Sequence, residues 1–339
     1  MRRTSSLVGG LLAVILLVGC GGGGSSGSSE SLYTGVTSQA ELTQDNVVEI
    51  TTEAYQAGDL ASSAVIPLDQ SEPASYEAGS PRAITLVRLL RGVAERVRIP
   101  ASSPSYSMSA NAASPMEVIT ESDTMSDGFG GTASYTITLD TVTGDFLGTF
   151  TFVGWHGDGG GTINGSTSVT GHFDESAGEF TWIRFTFHAV TMVDGADSVT
   201  ITGTVELTIS VSSGNATVEI YLKDNGTGET VWVHAYNVVT TDGPDTSPVD
   251  GIPDYTEVAV SGRIYLHHYG CVDVSTPTPF RFNSGSTFPD SGMLQVDGSQ
   301  SRSSRLTVID ESTGYFVEAD LDGDPAGIYE WTSITYPWI

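Results

Sequence analysis

The chain has 339 residues and is strongly acidic, with 41 Asp and Glu against 13 Lys and Arg and a formal net charge of −28. Such a surface repels nucleic acid, keeps the chain soluble and suits divalent cations. With only two cysteines the chain is no disulfide-rich scaffold, and its length fits one large domain or two smaller ones.

Taken in order, residues 1–19 read as an export signal. Arg2 and Arg3 form a basic start, and Leu7 to Val18 is an apolar stretch of about a dozen residues, short of the roughly 20 that span a bilayer. Leu17-Val18-Gly19-Cys20 closes the stretch. These four residues resemble the lipobox of bacterial lipoproteins, in which the cysteine becomes the acylated first residue of the mature protein. The resemblance implies lipidation of Cys20, a lipid bilayer as partner and a place in the cell envelope. Gly21 follows the cysteine where Asp would signal retention at the inner membrane, which implies the outer membrane. Acyl chains bury about 0.8 kcal/mol per CH₂, and more than one chain makes such an anchor durable. Residues 20–32 form the lipidated Cys and a Gly/Ser tether; Gly21–Ser29 reaches roughly 17 Å at about 5–6 Å × √n.

Residues 33–99 read as a helical N-terminal segment. Over Thr43–Ala57, Val47, Ile50, Ala54 and Tyr55 fall at helical spacing; Thr43 or Asp45 offers a start cap and Gly58 a stop. Residues 59–79 read as loop. Ser80-Pro81 opens a second helix. There Leu86, Leu90, Val93 and Val97 share one face, while Arg88, Arg91 and Arg98 lie opposite. That helix docks by its apolar face with its arginines paired to the chain's own carboxylates; the alternative is contact with anionic lipid or an acidic partner. Residues 100–130, rich in Ser, Ala, Pro and Gly, read as a linker.

From 131 to 339 the period becomes two. In Ser198–Val211, Val199, Ile201, Val205, Leu207, Ile209 and Val211 share one face, and Thr200, Thr202, Thr204, Glu206, Thr208 and Ser210 share the other. One dry and one wet side mark an antiparallel sheet. Short Gly-containing turns separate roughly a dozen such runs, with no helix-length segments for parallel crossovers. The triplets Val169-Thr170-Gly171, Ile201-Thr202-Gly203 and Val260-Ser261-Gly262 place Gly inside strands, where a bulge or bend would curl the sheet. The predicted fold is mainly β: a large curved antiparallel meander, half-barrel or barrel-like, preceded by a short helical segment. The shorter runs after Phe280 form either a second sheet or the rim of the first.

Tyr33-Thr34-Gly35-Val36-Thr37-Ser38-Gln39-Ala40, Arg305-Leu306-Thr307-Val308 and Val317-Glu318-Ala319-Asp320-Leu321-Asp322-Gly323-Asp324 resemble segments of acidic lipoproteins from Gram-negative, delta-proteobacterial bacteria. That resemblance implies no activity.

Three loops carry candidate sites. Asp320, Asp322 and Asp324 offer hard oxygens to Ca²⁺ at a turn between strands. The match to an EF-hand loop is poor, because Pro325 replaces the loop's Gly, Trp331 holds the place of its bidentate Glu, and Glu330 stands one position early. Asp250-Gly251-Ile252-Pro253-Asp254 resembles part of a thrombospondin type 3 calcium repeat, with Asp250 and Asp254 as ligands and Asp242 and Asp245 as possible further oxygens. Both loops are also ordinary turn chemistry. In Gly154-Trp155-His156-Gly157-Asp158-Gly159-Gly160-Gly161, Trp155 suits sugar stacking while His156 and Asp158 suit a polar ligand or metal; the plain alternative is a hairpin loop with Trp155 folded onto the sheet. No Gly-x-Ser-x-Gly elbow, phosphate loop or helical His pair is present. With Cys20 taken by the lipid, Cys271 stands alone with no intramolecular disulfide available and reads as a small buried residue in a strand. The expected function is a membrane-anchored, non-enzymatic binding or structural module, stabilised by Ca²⁺. The alternatives are a carrier of an apolar ligand in the curved sheet and a carboxylate-dependent extracytoplasmic hydrolase.

Overall fold

The computed structural model describes residues 32–63, 118–156, 161–174, 179–195, 197–210, 213–246, 253–286, 288–324 and 327–338. The signal, Cys20, the tether, the second predicted helix, Asp158 and Asp250 lie outside them.

The strands form one curved, unclosed antiparallel sheet in which every strand pairs with its neighbour in sequence. In order these are β1 (Val118–Ser126), β2 (Thr132–Asp140), β3 (Asp145–His156), β4 (Thr162–Asp174), β5 (Glu179–Asp194), β6 (Asp197–Ser210) and β7 (Ser213–Asp224). There follow β8 (Thr230–Asp242), β9 (Tyr255–Leu266), β10 (Gly270–Asn283), β11 (Ser291–Asp297), β12 (Ser303–Asp310), β13 (Gly314–Asp320) and β14 (Trp331–Thr332). Phe280–Asn283 is the end of β10, and the later runs extend the single sheet. β1 begins inside the segment expected to be linker. It sits at the sheet edge, exposed on both faces, so no burial imposes an apolar alternation on it.

The alternation read in the sequence separates the two faces. On β6, Val199, Ile201, Val205 and Leu207 are buried in the concave core, together with Phe185 and Phe187 of β5 and Val218 and Ile220 of β7. Each such side chain contributes roughly 1.5–3 kcal/mol by leaving water. Outward, Thr136, Thr149, Ser168, Thr186 and Thr204 follow one another across β2 to β6 in register. A membrane-spanning barrel carries an apolar band on its outer face; here that face is hydroxyl-rich.

The curl has a local origin. Gly203 (φ +131) and Gly262 (φ +149) occupy the left-handed region, as does Ala235 (φ 47). The pairings break register beside them, between Phe187 and Val190, Val218 and Ile220, and His234 and Asn237. Glu219 holds the break on β7 and β8. Its carboxylate accepts Trp232 Nε1–H at 2.7 Å and the Ala235 N–H at 2.9 Å, and His234 Nδ1 lies 3.0 Å away. Gly171 differs: it is Gly because a Cβ there would stand 2.4 Å from the Phe146 ring.

The helix α1 (Val47–Ser63) lies in the concave face against β8, β9 and β11 to β13. Val47, Ile50 and Ala54 are completely buried, and Tyr55 meets Phe280, Tyr315 and Trp338. Asn46 Oδ1 accepts the Thr43 N–H at 2.8 Å, reaching back as in one half of a capping box, and the Thr43 carbonyl accepts the Val47 N–H at 2.9 Å. The expected stop at Gly58 is passed. Gly lowers helix propensity by about 1 kcal/mol without forbidding the helix, and α1 continues through residues predicted as loop.

Ahead of α1, a strap from Leu32 to Leu42 crosses the outer side of β8 to β10. Tyr33, Tyr221, Trp232, Tyr265 and Cys271 form a second buried cluster beneath it. Trp232 stacks on Tyr221 and Tyr265 at 5.2 and 4.3 Å between centroids. Gln39 bridges to Cys271, which is buried as expected; the expectation that it stands without a disulfide is corrected, since Cys271 is disulfide-bonded.

Candidate functional site

Because strands alternate in direction, the turns after β1, β3, β5, β7, β9, β11 and β13 share one rim of the half-barrel. The strap runs along this same rim, from the β7–β8 and β9–β10 turns to the β11–β12 turn. Val36 N–H donates to the His267 carbonyl at 3.0 Å, and Ser299 N–H donates to that of Ala40 at 2.7 Å. Two clusters sit here.

The first joins the β1–β2 and β3–β4 turns. Asp127 Oδ1 accepts the N–H groups of Phe129 (2.7 Å) and Gly131 (2.9 Å). Its Oδ2 accepts the His156 N–H at 2.7 Å and lies 2.7 Å from His156 Nδ1. Desolvation pushes the Asp127 carboxyl up, but the donors from His156, Phe129 and Gly131 outweigh it and hold the group well below the usual carboxylate range. A histidine held through Nδ1 by a carboxylate is the arrangement that orients metal-binding and proton-transferring imidazoles. Phe129, 80% exposed, lies beside it at 5.7 Å between centroids. Trp155 pairs with Ile163 and packs half-buried on the core. The exposed ring of this cluster is therefore Phe129. Asp127 and Phe129 were missed because residues 100–130 read as a linker; the likeness of Asp127-Gly128-Phe129-Gly130-Gly131 to the Gly-rich loop after Trp155 was the available signal.

The second cluster follows β13. Carboxylate oxygens of Asp320, Asp322 and Glu330 lie within 4.8 Å of one another. Asp320 is buried, and its Oδ1 accepts the Gly323 N–H at 2.9 Å; Glu330 Oε1 accepts the Leu321 N–H at 3.3 Å. Asp324 is not in this group, and its N–H donates to Asp322 Oδ1 at 3.0 Å. The residue dismissed as one place early, Glu330, completes the set because the chain folds back between β13 and β14. Three carboxylates at this spacing suit a hard cation.

On the opposite rim, Asp254 accepts the Thr246 hydroxyl at 2.8 Å, and Asp242 accepts that of Thr256 at 3.1 Å. Asp254 thus closes its own loop. The remaining histidines lie on or beside strands. His172 faces Asp145 at 2.9 Å and His268 faces Glu229 at 2.8 Å; His188 meets Ser168 at 2.8 Å, and His267 meets Thr230 at 3.2 Å.

Comparison with protein-family models, curated proteins and solved structures finds no match to this chain.

Proposed function

We propose that the protein is a lipid-anchored, non-enzymatic binding module of the bacterial cell envelope, held at the outer membrane through Cys20. The supporting observation is the shared rim. The strap leading back toward Cys20, the Asp127–His156–Phe129 cluster and the Asp320–Asp322–Glu330 cluster all lie along it, on a sheet with one continuous core. In this reading the sheet is a rigid scaffold, its rim loops do the binding, and Ca²⁺ at the second cluster stiffens the β13–β14 loop.

Membrane fractionation of wild type against Cys20→Ser tests the anchor, the variant moving to the soluble fraction if the reading holds. Cys271 is disulfide-bonded and Cys20 is the chain's only other cysteine, so a disulfide within one chain would occupy the sulfur that the anchor needs: a sulfur carrying a glyceryl thioether cannot also form a disulfide. Peptide mass spectrometry at Cys20 therefore decides directly: a diacylglyceryl group supports the anchor and a disulfide there overturns it.

A second reading, an apolar-ligand carrier, is favoured by the wall of Phe146, Phe150, Phe152, Phe185 and Phe187 on β3 and β5. All five are buried, on strands away from those that α1 packs against. Solvent extraction of protein purified from membranes tests it. A stoichiometric lipid in the extract supports the carrier, and an empty extract discards it.

A further inference from the structure

We infer that the outer face of β4 to β6 carries a glycan-binding site, in which the Trp182 indole is the platform for one neutral sugar ring. The site lies toward the rim opposite the strap and stands independently of the anchor and of both rim clusters.

Strand alternation turns Trp182 outward. Ile183, Phe185 and Phe187 of the same strand are buried in the core, whereas Trp182 shares a row with His172 of β4 and Thr208 of β6. The row continues to Asp145 of β3 and Asn215 of β7. The other four tryptophans of the chain are all engaged. Trp155, Trp331 and Trp338 pack on the core. Trp232 lies between two tyrosines and donates its N–H to Glu219. Among the described residues, no ring stacks on Trp182 and no acceptor takes its N–H.

An indole presents a large, rigid apolar face with a polar edge. The C–H face of a pyranose fits such a surface, and the hydroxyls around the ring need fixed donors and acceptors beside it. Two held pairs supply them. Asp145 Oδ1 lies 2.9 Å from His172 Nδ1, and Arg184, next outward on β5, donates to Glu206 through Nε at 2.7 Å. Each pair orients its members but leaves them open to solvent, with Asp145 64% and Arg184 54% exposed. The carboxylates accept, the guanidinium donates, and Asn215 does both. With strands about 4.8 Å apart, this row reaches roughly 10 Å to either side of Trp182, enough for a short oligosaccharide.

Charge and area narrow the class. The site holds one arginine against two carboxylates, in a chain of net charge −28, so an anionic sugar is repelled. Its apolar surface is one indole and Leu147 in the adjoining row. That suits a sugar ring better than a protein interface, which covers about 800 Å² per partner.

The test uses the full-length protein carrying nitrogen-labelled tryptophan, whose five indole N–H signals are followed by NMR. Trp182→Phe assigns the Trp182 signal. Cellotetraose, maltotetraose and chitotetraose are added in turn at millimolar concentration. We expect one of them to shift the Trp182 signal and leave that of Trp232 in place. By calorimetry, Trp182→Ala should weaken the same sugar about ten-fold or more, and Thr136→Ala, on the outer face of β2, should leave its affinity unchanged. If none of the three moves the Trp182 signal, or if only another indole responds, the site is overturned, and this reading needs no folded variant. Wild-type affinity in Trp182→Ala overturns it equally.

Discussion

Thr51 and Ser304 join α1 to β12 through a completely buried pair of hydroxyls 2.6 Å apart. Thr51 also donates to the Val47 carbonyl at 2.6 Å, leaving Ser304 to donate to Thr51. Replacing Thr51 by Ala orphans the Ser304 hydroxyl and should cost about 1–3 kcal/mol, whereas Ser304→Ala should cost about 1 kcal/mol. Urea denaturation of both single variants and the double variant checks this. The double variant should be less destabilised than the sum of the singles, because the pair interacts.

The bulge glycines should tolerate no side chain. At Gly203 a Cβ would stand 2.1 Å from the Glu219 carbonyl oxygen, and at Gly262 it would stand 2.6 Å from the Tyr236 Cα. Gly203→Ala and Gly262→Ala should each destabilise by about 3 kcal/mol or more, combining strained φ with a backbone clash. Gly195→Ala is the control: φ is +59 but nothing lies within 4 Å, so its loss should stay near 1 kcal/mol. Thermal melts of the three variants check the order.

Acid should weaken the β12–β13 turn. The hydroxyl of Ser312, then that of Thr313, followed by their N–H groups, hold Asp310 down to about 2. Its unfolded value is near 3.8. A carboxylate depressed in the folded state stabilises the fold fully above the unfolded value and loses that contribution as pH falls through the folded one. Wild type should therefore lose stability relative to Asp310→Asn between about pH 4 and pH 2, with no change in their difference above about pH 5. Denaturation midpoints across that range check the sign.

Asp127 organises two turns by accepting three N–H groups. Asp127→Ala should abolish hydrogen-exchange protection at the amides of Phe129, Gly131 and His156 and leave β6 to β9 unchanged. Loss of protection throughout the sheet would mean that the residue supports the fold rather than the rim.

Calcium separates the rim clusters. Excess Ca²⁺ at about a hundred times its Kd should stabilise the protein by about 2.7 kcal/mol, and a chelator should reverse this. Glu330→Gln should remove most of the effect and Asp324→Asn little of it. An unchanged melting curve would return the loop to turn chemistry.

The meander was legible because burial on one face of a strand writes an alternation into it, as Val199, Ile201, Val205 and Leu207 show. Gly203 and Gly262 even marked the bends. β1 was not legible: Glu121, Ser122 and Asp123 lie on an exposed edge where neither face excludes polar residues. The rim clusters were legible only in part: His156, Asp320 and Asp322 stood out in the sequence, whereas their partners Asp127 and Glu330 did not. Asp127 is 29 residues from His156, and Asp320 meets Glu330 through a fold-back that local pattern does not encode.

The nearest-neighbour order of the sheet also bears on how the protein acquires its structure. Each hairpin can form from adjacent sequence, which favours quick, stepwise growth. The opening part of the chain has no such local partner. Tyr33 closes on Leu266 and Thr51 on Ser304, separated by 233 and 253 residues. During vectorial synthesis, the residues that emerge first must wait for the last hairpins before they can dock, so the segment ahead of the sheet is the last to be locked.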